Sequence, residues 1–370
     1  MRYEIDWLFK RIEQPKGKSQ TYSQPVTIKV VSYSDLINSF QLLVNPRFLY
    51  YDEYIGLRIG IDIEGNNFYS PDKPQRLLPS EYQYHMDDYV GHLVLMWKCW
   101  REPFATEVLL NGQVEQLRYS SVKEELLAAG GCFIKTKIFP NATQEKAEGL
   151  FEYLVFLAIF THDLGKLQSK WQNVMRGWQE IAYKNFAGNN PANRLLAHTD
   201  YNPENQLQQQ ALKEHEKKYK RPNHAVESAF LASYILRDTL KPFLENNFQV
   251  NQDQISSIAY TIMMAAGRHH SAFTKGWEIK DISKGKKIEL HPDAGIAIAK
   301  SWRCLIHFFP NTLALPPAPS LSKSEYSVTE FSLTKLTPQE ITYLQLYSLV
   351  VRALRLCDMR SVQLRRGNRE

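Results

Sequence analysis

Eleven residues constrain this chain more than any others: Phe156 to Lys166, reading FLAIFTHDLGK. The run is apolar on every helical face until it stops on His162-Asp163, with Gly165 and Lys166 close behind. A helix that is apolar all round must be buried, so its end carries an imidazole and a carboxylate into the interior. A buried carboxylate needs a partner or a metal. Neutral imidazole ligates transition metals and a carboxylate bridges two cations, so a vicinal His-Asp is the smallest unit from which a two-metal site is built.

Other segments offer further donors of the same kind. Tyr82 to Trp100 places His85, Tyr89, His92, Met96 and Trp100 on one stripe, which predicts an amphipathic helix with two histidines on its buried face. Of these, His92 is favoured as a ligand because LVLMWKCW continues the helix; His85 is the alternative. Gly130-Gly131 marks an irregular stretch, and Asn141-Ala142-Thr143-Gln144 starts the helix that ends at His162-Asp163. Leu167, Trp171, Val174, Met175 and Trp178 predict another amphipathic helix, with Lys170, Gln172 and Arg176 on its polar face. Residues 187–222 read as a polar insert, a solvated loop and helix face, in which His198 is an insert residue and not a ligand. His224 opens the next helix, and another, Ile255 to Ala266, runs out at Gly267-Arg268-His269-His270. Beyond Thr337-Pro338-Gln339-Glu340, which has the form of a capping box, Tyr347, Val351 and Leu354 lead along one stripe to Asp358, where a leucine is expected.

Residues 1–78 have a different texture. Val26 to Val30 and Leu57 to Ile63 alternate as strands do, and Ser70-Pro71-Asp72-Lys73-Pro74 reads as a linker. The expected architecture is therefore mainly α, a helical domain over 79–370 behind a small mixed or β-containing N-terminal extension over 1–78. A chain of 370 residues has room for both. The net charge of +6 and pI near 8.9 permit a nucleic-acid partner without demanding one. The four cysteines form no CxxC pair, which argues against a zinc knuckle or disulfide framework and for a reducing compartment. The charged first twenty residues and the lack of a long apolar run predict a cytoplasmic protein with no membrane span.

The order His, His-Asp-x-Gly-Lys, His, His-His, Asp resembles the HD-type metal phosphohydrolases. In detail HDLGKLQSKWQ, NHAVESAF, GRHHSAF and RALRLCDMRS resemble the HD nuclease of type I CRISPR interference. The resemblance covers about residues 80 to 365 and implies an HD-type helical bundle. It also implies a nuclease that cleaves single-stranded DNA and works with a CRISPR-associated helicase and an RNA-guided, Cascade-type surveillance complex. Residues 45 to 57, NPRFLYYDEYIGL, look like the stretch that joins helicase to nuclease where both share a chain, which makes 1–78 a candidate helicase-facing segment. No GxxxxGK[ST] occurs, so the sequence carries no P-loop motor.

Carried over by position, the resemblance implies one divalent metal on His92 (or His85), His162, Asp163 and Asp358. A second sits on Asp163, His224, His269 and His270, with Asp163 as the bridge. Manganese, iron, cobalt or nickel suits such donors. Lys166 faces the scissile phosphate or, equally, pairs with a nearby carboxylate, while Lys275 and Trp277 offer a phosphate contact and a stacking surface for single-stranded DNA. An HD-type nucleotide phosphohydrolase and a non-catalytic HD-like adaptor are the alternatives.

Overall fold

The computed structural model of the chain describes residues 8–13, 26–32, 35, 42–45, 48–52, 56–60, 66–67, 84–110, 113–270, 282, 285–309, 313–328, 330–333, 336 and 340–367. The fold is mainly helical, with a few small antiparallel sheets. Two compact units divide the chain, the first drawn mainly from Met1–Arg76 and the second from Leu77–His270 and Lys280–Glu370.

The first unit contains two three-stranded sheets. In one, Phe9–Glu13 is the middle strand between Val26–Lys29 and Leu42–Val44; in the other, Leu49–Asp52 lies between Gly56–Ile59 and Asn66–Asn67. These short antiparallel pairings follow the period-2 alternation of the sequence.

The second unit is organised around the helix Gln144–Thr161. Thr143 caps it by accepting from the Lys146 amide at 3.2 Å, and every residue from Leu150 to Thr161 is buried. Phe151, Phe156 and Phe160 are among the largest fully buried side chains, each contributing roughly 1.5–3 kcal/mol by leaving water. Around this central helix pack Tyr89–Arg101, Val122–Lys137, His224–Asn247, Gln252–Gly267, Ala294–Ile306 and Ile341–Gly367. The surrounding layer explains why the helix has no exposed face from Leu150 to Thr161. No helix among the described residues is long and apolar enough to cross a membrane.

Three expectations change. Gly130-Gly131 is the interior of the helix Val122–Lys137 and not an irregular stretch. A Cβ at Gly130 would come within 2.3 Å of the Phe151 ring, so glycine is what lets this helix approach the central one, at a cost in helix propensity of about 1 kcal/mol. The first histidine helix begins at Tyr89, not near Tyr82, because Asp88 caps it by accepting from the Gly91 amide at 2.9 Å. His85 therefore precedes the helix. Gln172 is buried instead of lying on a polar face, and its amide exchanges hydrogen bonds of 2.9 Å with the backbone of Leu196.

That exchange shows the insert to be anchored to the bundle. Leu196–His198 forms a short antiparallel pair with Asp87–Asp88, and Met86, Trp171, Met175 and Leu196 make an apolar cluster behind it. The Asp200 carboxylate accepts from the Met86 and Asn189 amides and from the Gln179 side chain. These bonds outweigh burial and hold it below the usual carboxylate range. The later helix of the insert, Gln206–Lys218, does have the solvated, basic character expected of the whole. The capping-box residues Thr337, Pro338 and Gln339 lie outside the described residues.

Candidate metal centre

The central helix stops at His162, and Asp163 (φ −113°, ψ 12°) turns the chain into a short 3-10 helix, Leu164–Leu167. Gly165 is required at this bend: a Cβ there would stand 2.2 Å from the carbonyl oxygen of His224. Its amide donates to Ser228 Oγ at 2.8 Å, and Glu227, fully buried, accepts from Gln168 and from Lys286. The His-Asp bend is thereby locked to the first turn of the helix that begins with His224.

Asp163 is fully buried and divides the surrounding donors between its two oxygens. Oδ2 faces His162 Nε2 at 3.2 Å and His92 Nε2 at 3.6 Å, with Asp358 Oδ1 3.5 Å beyond on the same His92 nitrogen. Oδ1 faces His224 Nε2 at 3.6 Å and His269 Nε2 at 3.7 Å, and His270 Nε2 lies 2.8 Å from His224 Nε2. The Lys166 ammonium, 2.7 Å from Oδ2, balances the charge.

The separations discriminate between packing and ligation. Most exceed the length of a real hydrogen bond, whereas two donors each about 2.1 Å from one cation lie roughly 3.4–3.6 Å apart at tetrahedral to trigonal angles. Asp163 Oδ1 and the Nε2 atoms of His92 and His269 are buried without a hydrogen-bond partner. Buried polar atoms are rarely left so. Both His92, His162, Asp163 and His224, His269, His270 are grouped tightly enough to hold a metal ion.

Protonation favours the same role. Burial pushes His92, His224 and His269 well below the ordinary imidazole value, and His270 down to about 4, so each keeps a free lone pair at neutral pH. His162 runs the other way: burial lowers it, but the Asp163 charge and hydrogen bond prevail and raise it. Burial opposes ionisation of Asp163, yet His162 and Lys166 together hold it well below the carboxylate range. Asp358 is raised by burial. His162 and His269 are also aimed: each Nδ1 faces the carbonyl three residues back, Ile159 at 2.7 Å and Ala266 at 2.6 Å. Donation there fixes the tautomer that leaves Nε2 as the ligand, and satisfies a carbonyl that a helix end would otherwise orphan.

His92, His162, Asp163, Lys166, His224, His269, His270 and Asp358 are thus brought to one place by five segments. Lys166 stands there as the carboxylate partner of Asp163. His85 is not part of it; its Nδ1 lies 3.9 Å from Asp200, on the anchor of the insert. Lys275 and Trp277 fall outside the described residues. Two residues were missed. Asp87 lies 3.7 Å from His92 Nδ1, and His198, dismissed as an insert residue, packs its ring edge-on against His92 with centroids 4.5 Å apart and places Nε2 3.5 Å from the Lys166 ammonium. The available signal was LAHTD, where buried Leu196 and Ala197 run directly into a histidine. No family model, curated protein or solved structure matches this chain.

Proposed function

We propose that this protein is a metal-dependent nuclease that hydrolyses phosphodiesters of single-stranded DNA at a two-cation centre bridged by Asp163. The reading further takes it to act in CRISPR interference, in the cytoplasm, on strand exposed by a separate CRISPR-associated helicase recruited by an RNA-guided surveillance complex. The observation that carries the chemistry is the division of donors across Asp163, with histidines facing each oxygen at ligand-to-ligand separations. The choice of nucleic acid and of partners rests on the motif resemblance.

His92, His162, Asp163 and Asp358 would hold one divalent transition metal, and Asp163, His224, His269 and His270 the other. Such a pair, when bound, activates water at neutral pH and stabilises the attacking and leaving oxygens of an in-line displacement. The protein's own share is positioning. The buried floor of His92, His162, Asp163 and His269 excludes water from one side, while His224, Asp358 and His270 leave the other open, with side chains 14% and 23% accessible for the first two. Substrate phosphate would approach across that opening. Lys166, 2.7 Å from Asp163, would be the ammonium nearest a phosphate held there.

The test is a circular single-stranded DNA incubated with the full chain and manganese, cobalt or nickel. Linear product from the wild type and none from Asp163→Ala is the expected result. An intact circle beside hydrolysis of free nucleotides would replace this reading with the nucleotide phosphohydrolase.

A further inference from the structure

One imidazole of the centre is unlike its neighbours. His162 and His269 each have Nδ1 tied to a backbone carbonyl, but His92, only 1% accessible, has neither ring nitrogen hydrogen-bonded. Its Nε2 faces Asp163 and Asp358, and its Nδ1 faces away from the centre toward Asp87 Oδ2 at 3.7 Å. His198 Nδ1 stands 4.0 Å from that same oxygen. Asp87, His92 and His198 offer donor atoms all within 4.8 Å of one another. The 3.7 and 4.0 Å separations are too long for hydrogen bonds and lie below the limit of about 4.2 Å for two ligands that each bond one cation at about 2.1 Å.

We propose that Asp87, His92 and His198 form a flanking divalent-cation subsite for a first-row transition metal, a class that suits two imidazoles and one carboxylate. A neutral imidazole has one lone pair. His92 therefore serves either the central position through Nε2 or the flanking one through Nδ1, and the subsite is a second station for the cation nearest His92. The side chain of His198 is 17% accessible, whereas those of His92 and Asp163 are 1% and 0% accessible, so the flanking station lies nearer to solvent than the floor. The insert that supplies His198 is held in place by Gln172 and Asp200, which gives the station a fixed geometry.

The proposal rests on the centre being a cation site, but not on its being a nuclease. It is tested by cobalt(II) titration of the full chain, followed by calorimetry and visible absorption, with far-UV circular dichroism to confirm folding. His162→Ala removes a central donor and none of the flanking ones. This variant is expected to take up as many cobalt ions as the wild type, and His162→Ala/His198→Ala one fewer. His162→Ala/Asp87→Asn should show the same loss. Retention of the full number in both double variants, or loss of one ion already in His162→Ala, overturns the flanking station while leaving the centre standing. A wild type that takes up no cobalt overturns both.

Discussion

His162 and His269 stand at the C-terminal ends of helices, where their Nδ1 atoms meet the last carbonyls and their Nε2 atoms are aimed without any outside help. His198, His224 and His270 are placed differently: by a strand of the insert, by the first turn of a helix, and at the last position before residues 271–281, which are outside the described set. The first pair is buried to 1% and belongs to the floor, while the second group forms an accessible rim. The contrast teaches that the floor is set by the bundle itself, whereas the rim depends on segments joined to it, and perturbations of the two should differ in kind.

The sharpest break comes from the floor. Asp163→Ala should bring phosphodiester cleavage below detection and remove the cation shared with His224, His269 and His270, while far-UV circular dichroism remains helical, since the residue's role is to ligate. Retained metal-dependent cleavage in that variant would end the two-cation account. In metal-free protein Lys166→Ala leaves the fully buried Asp163 without its nearest cation and should cost about 3–5 kcal/mol in denaturant unfolding. Gly165→Ala joins the two regions: the new Cβ must push His224 away, lowering stability by about 1–3 kcal/mol and weakening cobalt affinity together. Lost stability with unchanged affinity would show that rim and floor are less coupled than the hydrogen bond from Gly165 to Ser228 implies.

Smaller effects follow from titration. His92, His198, His224, His269 and His270 are depressed by burial, so between the unfolded value of about 6.5 and the native value, about 4 for His270, the unfolded chain binds more protons. Metal-free stability should therefore rise with pH across that window and be lost as pH falls through it. His162, raised by Asp163, and Asp358, raised by burial, oppose this. A melting temperature that is flat from pH 7 to 4 would contradict the depression of these imidazoles. Least of all, His85→Ala should leave metal uptake unchanged, where His92→Ala reduces it.

The sequence made the floor legible because its parts are short-range. FLAIFTHD announces a buried helix end, and the stripe Tyr347, Val351 and Leu354, broken at Asp358, flags a carboxylate at the edge of that floor. What escaped was tertiary. His85 and His92 share a helical spacing, and only the Asp88 cap, which starts the helix after His85, separates them. Glycines read as a break at Gly130-Gly131 because propensity does not report how closely a neighbouring helix approaches. His198 was set aside with a polar insert whose composition is dominated by the solvated Gln206–Lys218 helix, although its earlier strand is clamped to the bundle by Gln172, Gln179 and Asp200. Side chains that bond to distant backbone leave no periodic trace.

Anomalous scattering from cobalt-soaked crystals addresses the central claim directly. The account predicts two peaks about 3.5–4 Å apart with the Asp163 carboxylate between them, one on the Oδ2 side toward His92 and His162 and the other within the group His224, His269 and His270. A single peak, or peaks that do not touch Asp163, would contradict it.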